Sequence, residues 1–221
     1  MKLKWFFSWI VANFFFRVIL GLKVEGSKKI PRYGGVILCP NHISSWDPPL
    51  VGAAVPREIY FLAKEDLFRV NKFFTWILRK YNAVPIKRET GGHGALRTAT
   101  ELLKGNKMVV IFPEGTRNKT LDPLLPLKPG AALLSLKTGV PIIPAYILGS
   151  KSSPLQWITR RAPLYIKFGD SLEPSNYANN KEGIIKMTQD LERLMLELRK
   201  NLLKRRLKGR ESGKKVTISV I

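Results

Sequence analysis

Between residues 35 and 168, short β-rich runs alternate with stretches of helical period. No other feature of the chain narrows the fold as much. The runs 35–39, 58–63, 83–87, 107–112, 142–148 and 164–168 read as strands. Helical patterns over 66–80, 90–104 and 129–137 fit between several of them. Gly105 and Gly139 stand where helix C-caps are expected. Strands alternating with helices predict an α/β fold, with a largely parallel central sheet flanked by helices. No repeat or linker divides the region, so 27–203 reads as one domain. In such sheets function collects at the loops after the strands' C-terminal ends. The loops after Cys39, Ala63, Lys87 and Phe112 are therefore the ones to read.

Charge bounds the partners. The chain has 38 Lys and Arg against 16 Asp and Glu, a net charge of +22. A surface of that sign seeks anionic membranes, nucleic acid or acidic small molecules. The single cysteine, Cys39, excludes an intramolecular disulfide. With His42 and His93 it makes too small a set of soft ligands for structural zinc, and no metal is expected. No phosphate-binding glycine loop, dinucleotide fingerprint or nucleic-acid motif is present, so charge alone argues for nucleic acid.

The two ends differ from the middle. Seven of the chain's aromatic residues lie in the first 16 positions, and Glu25 is the first acid. As a helix, residues 5–22 would span roughly 27 Å. Phe7, Ile10, Val11, Phe14 and Val18 fall on one apolar stripe, with Asn13 and Arg17 together away from it. Segment 1–26 therefore reads as a helix lying in one membrane leaflet, with Trp and Lys as interfacial anchors. A single span and an ordinary buried helix are the alternatives. A cleaved signal is disfavoured because the small-residue cleavage pattern is missing. At the other end, Ile184, Leu191, Leu194, Met195, Leu198 and Leu202 recur at helical spacing. The tail 204–221 is basic, and reads either as a solvated run or as a patch for anionic lipid.

Four loops carry chemistry. After the first strand, His42 and Asp47 stand five apart. A neutral imidazole can take a hydroxyl proton at neutral pH, and a carboxylate on its other nitrogen would fix the tautomer. Asp47 before Pro48 is equally a good helix N-cap. The second loop holds Lys64-Glu65-Asp66, and the third Lys87-Arg88. The fourth, Phe112-Pro113-Glu114-Gly115-Thr116-Arg117-Asn118, presents an acid, a hydroxyl and a guanidinium around a glycine that lets backbone approach a ligand. His93, in Gly91-Gly92-His93-Gly94, reads as a solvated turn residue.

Together and in this order the segments resemble the glycerolipid acyltransferase family, especially the 1-acylglycerol-3-phosphate O-acyltransferases. Asn41-His42 to Asp47 is similar to its NHxxxxD block. Lys87-Arg88 closes a segment like its second block, and Phe112-Pro113-Glu114-Gly115-Thr116-Arg117 is similar to its FPEGTR block. Val140-Pro141-Ile142-Ile143-Pro144-Ala145 resembles the fourth block, and Lys64 the lysine of a short Lys-Glu-Leu-type segment. Asn118 departs from a frequent serine and Asn82 from a frequent glycine, which bears on substrate preference.

The resemblance implies transfer of a fatty acyl group to the sn-2 hydroxyl of lysophosphatidic acid, giving phosphatidic acid. Another lysophospholipid, glycerol 3-phosphate or lyso-ornithine lipid are alternative acceptors. It implies His42 as general base and Asp47 as its orienting partner, with no acyl-enzyme and with Cys39 as a buried strand residue. Lys64, Arg88 and Arg117 would hold phosphate. Glu114 would hold the arginine or contact the glycerol. Gly115 and Thr116 would line the substrate, with backbone amides near Gly115 as oxyanion donors. No bound cofactor is implied, since acyl-CoA or acyl-carrier protein serves as donor substrate. The implied partners are lysophosphatidic acid and membrane phospholipid, on the cytoplasmic face of the cell membrane.

Overall fold

The structure is a computed structural model that describes residues 3–86 and 93–211. Among the described residues seven strands form one sheet: β1 (Leu22–Glu25), β2 (Val36–Pro40), β3 (Ile59–Lys64), β4 (Ala83–Ile86), β5 (Met108–Val110), β6 (Ile142–Leu148) and β7 (Leu164–Phe168). The order across the sheet is β1-β7-β6-β2-β5-β3-β4. Strands β2 to β6 run parallel; β7 is antiparallel to β6 and β1 is parallel to β7, so the β7–β1 edge runs against the rest. The helices are α1 (Leu3–Phe14), α2 (Asp47–Ala54), α3 (Lys72–Lys80), α4 (His93–Lys104), α5 (Gly130–Thr138), α6 (Pro154–Ile158) and α7 (Lys181–Glu211).

Strand β2 is buried along its whole length, as a central parallel strand with helices on both faces must be. Its side chains alternate between two apolar layers. Val36 and Leu38 pack with Leu50 and Val51 of α2, Trp157 of α6 and Phe16. Ile37 and Cys39 pack on the other face with Leu103 of α4, Leu134 of α5, and Met187, Leu191 and Met195 of α7. Each such buried side chain contributes about 1.5–3 kcal/mol. Burial pushes the Cys39 thiol far up, which leaves it protonated and unreactive.

Several local expectations are corrected. Segment 66–80 is not one helix: a 3-10 turn (Glu65–Arg69) precedes α3, and the Thr75 hydroxyl donates to the carbonyls of Phe68 and Asn71 across the break. Gly105 does follow the last residue of α4, its N–H donating to Glu101 O at 3.0 Å, while the left-handed conformation falls one residue later at Asn106 (φ 57°). Gly139 follows α5 in that conformation itself (φ 70°), its N–H donating to Ser135 O at 2.8 Å. Strand β1 was not expected. Its mixed Leu-Lys-Val-Glu run has little strand signal, and pairing with β7 creates it.

At the N-terminus α1 runs into a π-turn (Phe15–Ile19), closed by the Leu20 N–H on Phe15 O at 3.0 Å. Within segment 1–26 the helix occupies 3–19, and Leu22–Glu25 enter the sheet as β1. Phe7, Ile10, Val11, Phe14 and Val18 are all exposed. Asn13 points inward, donating to Ala53 O at 2.8 Å. Among the described residues no helix is long and apolar enough to cross a membrane. Helix α7 continues through the first part of the basic segment 204–221, where Arg205 pairs with Glu25 of β1.

Candidate active site

The site lies beyond the C-terminal ends of β2 and β5, which are hydrogen-bonded neighbours. Adjacent parallel strands therefore deliver the His42 and Glu114 loops to one place. Asn41 sets the first loop where β2 ends. Its side-chain amide donates to Ile147 O (3.1 Å) and its carbonyl oxygen accepts the Ile147 N–H (2.6 Å). The side chain thus continues the β2–β6 pairing for one more residue while the backbone turns away.

Asp47 is fully buried at the start of α2. Its Oδ2 accepts His42 Nδ1–H at 2.9 Å and the N–H groups of Ile43 and Ser44, each at 2.7 Å. Its Oδ1 accepts the Ser150 hydroxyl at 2.6 Å. The alternative reading of Asp47 as an N-cap is thereby overturned, since its oxygens serve the preceding loop and not the first turn of α2. A carboxylate on Nδ1 fixes the proton there and leaves Nε2 as the acceptor. The ring is 18% exposed and stacks on Phe112, with centroids 4.1 Å apart and planes 27° apart.

Glu114 is buried, and its two oxygens accept backbone N–H groups: Oε1 from His42 at 2.6 Å and Oε2 from Leu125 at 2.9 Å. Glu114 thereby clamps the His42 loop, and among the described residues the side-chain partner of Arg117 is Ser45, not Glu114. Burial raises its pKa, and the amides of Leu125 and His42 partly offset that. A second clamp runs from the Asn118 N–H to His42 O at 2.6 Å.

Gly115 takes φ 70°, and a Cβ there would meet the Lys128 side chain at 2.8 Å. Its N–H is engaged with Phe112 O at 3.0 Å, so this particular amide is not a ready oxyanion donor. Thr116 and Arg117 are exposed. The Arg117 guanidinium donates to Ser45 Oγ at 2.7 Å, which ties it to the His42 loop. Lys64 ends β3. Arg88, with Lys87, lies outside the described residues, and His93 begins α4.

Both departures from the family blocks have structural reasons. Asn118 is buried, and its side chain closes a turn with Thr120 and Asp122. Asn82 has φ 55°, the left-handed conformation glycine takes readily and asparagine tolerates. Sequence reading missed the parts played by Asn41, Ser45 and Ser150. Ser150 lies 103 residues from Asp47 and Asn41 lies 106 from Ile147, so no local pattern joins them.

The family model described as Acyltransferase matches residues 21–148, more than half of the chain and all of the blocks above. The chain belongs to the acyltransferase family and is an enzyme of that class. It is similar to the 1-acyl-sn-glycerol-3-phosphate acyltransferase of Bacillus subtilis, 30% identical over 82% of this chain and 90% of that one. The enzyme of that name from Streptococcus pneumoniae is 31% identical over 72% of this chain, which spans 59% of that relative's length. Among solved structures, the 1-acyl-sn-glycerophosphate (LPA) acyltransferase PlsC of Thermotoga maritima superposes with a TM-score of 0.66. It is 26% identical, over 87% of this chain and 78% of that one.

Proposed function

We propose that this chain transfers a fatty acyl group from a thioester to the sn-2 hydroxyl of 1-acyl-glycerol 3-phosphate, giving phosphatidic acid. The observation that carries this is the His42–Asp47 pair, with a fully buried carboxylate held by four donors and an imidazole left with one nitrogen free of described protein donors and acceptors. The similarity to enzymes named for this acceptor supports the substrate.

Nε2 of His42 takes the hydroxyl proton as the oxygen attacks the thioester carbonyl. Asp47 stabilises the imidazolium that forms. The tetrahedral oxyanion then collapses and expels the thiolate, which receives the proton from His42. The free thiol and the new ester leave, and His42 is neutral again. No acyl-enzyme is required, and Cys39 takes no part.

On this reading Arg117, tied to Ser45 three residues after the base, holds the acceptor phosphate together with Lys64 and Arg88, and its nearness to His42 supports that role. Gly115 and Thr116 line the approach. The donor is acyl-CoA or acyl-carrier protein, both of which carry the thioester. The exposed apolar face of α1 seats the enzyme in one leaflet, on the cytoplasmic face where anionic lipid meets its positive charge.

The test is acyl transfer in vesicles with lysophosphatidic acid and each donor in turn, wild type against His42→Ala. Phosphatidic acid made by wild type alone is the expected result, and the faster donor identifies the physiological class. Wild-type protein inert on lysophosphatidic acid but active on another lysolipid would overturn the acceptor and leave the chemistry standing.

A further inference from the structure

From the Asp47 contacts we infer that Ser150 is a positioning residue of the reaction, which sets the orientation and the charge of the Asp47 carboxylate and through it the basicity of His42. The inference rests on the reading of His42 as general base.

Asp47 divides its bonding unevenly. Oδ2 takes three donors, while Oδ1 has a single one among the described residues, the Ser150 hydroxyl at 2.6 Å. That is the short range of hydrogen bonds to an ionised acceptor. Both residues are fully buried, so water has no ready route to replace the hydroxyl if it is lost. A carboxylate accepts only, so the serine must donate, and its proton is committed to Asp47.

The surrounding fold fixes Ser150 as firmly as it fixes the base. Gly149 follows β6 in a turn with φ 91°, and a Cβ at that position would lie 2.2 Å from Pro163 O. Only glycine lets the two backbones approach so closely. The Gly149 carbonyl accepts the Trp157 indole N–H at 3.0 Å, and Trp157 is itself completely buried. Trp157 also packs edge-on against Trp46, the residue before Asp47, with ring centroids 5.6 Å apart. The carboxylate is thus gripped by its own loop through Oδ2 and by the end of β6 through Oδ1. Gripped from two sides, it is held against rotation about its side-chain bonds.

The electrostatic sign follows. A donor on Oδ1 draws negative charge away from the carboxylate and moderates its hold on the imidazolium. Two other charged groups face this pair, Glu114 on the His42 N–H at 2.6 Å and Arg117 on Ser45, and both are the same in every Ser150 variant. Without the Oδ1 donor, then, Asp47 stabilises the protonated ring more strongly. His42 then becomes more basic, and more of it is protonated and unable to accept the substrate proton at neutral pH.

The experiment measures kcat/KM for acyl transfer from pH 5 to 9 in wild type, Ser150→Ala and Ser150→Cys, with a thermal melt of each. For Ser150→Ala we expect kcat/KM to fall about tenfold at pH 7, the scale of one lost hydrogen bond to a charge. The acidic limb of its profile moves to higher pH, so activity partly recovers on the alkaline side. Ser150→Cys, nearly the same size with a weaker donor, falls between. A residue that served only the fold would lower activity equally at every pH. A folded variant whose acidic limb stays at the wild-type position overturns the inference, whether or not its rate falls. If Ser150→Ala does not fold, the limb of Ser150→Cys decides by the same criterion. A His42→Ala control separates the two levels: activity that survives it sinks the base assignment, whereas loss there with silent Ser150 variants sinks only the role of Ser150.

Discussion

Replacing Glu114 with glutamine removes a charge and keeps the shape, and the structure fixes what that costs. The carboxylate accepts two buried backbone donors, His42 N–H at 2.6 Å and Leu125 N–H at 2.9 Å. An amide has one oxygen, so one of those N–H groups must face an NH2. A buried donor left unpaired costs about 1–3 kcal/mol. For a chain of this length each kcal/mol lowers Tm by about 2–4 °C. The pH dependence carries a second signature. Burial raises the folded-state pKa of Glu114 above its ordinary value of 4.5. Between the two values the folded protein binds more protons than the unfolded, so stability falls as pH rises through that window. The contribution is fully present below 4.5 and lost above the raised pKa. Glu114→Gln removes this dependence. Calorimetric melts of both proteins from pH 4 to 8, with kcat/KM in parallel, measure all three effects. The expected result is a lower Tm at pH 7, a flatter Tm profile on the acid side and a loss of activity of about tenfold or more, because His42, the proposed base, is one of the two residues Glu114 anchors. Unchanged Tm and activity in Glu114→Gln would refute the clamp.

Two further outcomes are expected. Asp47→Asn keeps the volume but cannot stabilise the imidazolium or enforce its tautomer, so kcat falls by about 10³ to 10⁴; an asparagine enzyme within tenfold of wild type would remove Asp47 from the mechanism. Phe7→Glu with Phe14→Glu alters two exposed side chains, so stability stays within about 0.5 kcal/mol per site, while co-flotation with anionic vesicles drops more than about tenfold because each phenylalanine buries about 1.5–3 kcal/mol of apolar surface in lipid; unchanged flotation would refute the leaflet-seated helix.

What was legible in the sequence was whatever its own neighbourhood determines. Strands β2, β3, β6 and β7 appear within a residue of expectation because runs rich in β-branched and aromatic residues favour the strand locally. His42 and Asp47 were found because their bond closes within one loop. What failed depends on the distant chain. Leu22–Glu25 is a strand only because β7 offers its edge. The two backbone groups that Glu114 holds, 72 and 11 residues away, could not be read from Phe-Pro-Glu-Gly either. The stripe of α1 was read correctly as apolar, but only the structure shows it turned outward, with Asn13 bonded to Ala53 and Phe16 buried.

That outward stripe and the base share one mechanical frame. Phe16, on the inner side of the π-turn, meets Trp46 edge-on with centroids 6.4 Å apart, and Trp46 in turn meets Trp157. Arg160, just after α6, donates to Val18 O at 2.7 Å and so holds the end of the N-terminal helical segment. A Cβ on Gly21 would strike that guanidinium at 1.8 Å, so the glycine leaves room for the arginine to reach across. Trp157 also anchors Gly149, whose neighbour Ser150 grips Asp47. The helix proposed to lie in the leaflet is thus joined through three packed rings and two backbone-directed bonds to the carboxylate that orients His42. A lysolipid hydroxyl sits at a depth set by the bilayer, and a base can meet it only if its own height above the bilayer is fixed. Packed aromatic contacts resist the small displacements that cost most in orientation-dependent catalysis. On this reading the bulk of Trp46, one residue before the aspartate bonded to His42, is explained by position: it links the proposed membrane-facing helix to the proposed base.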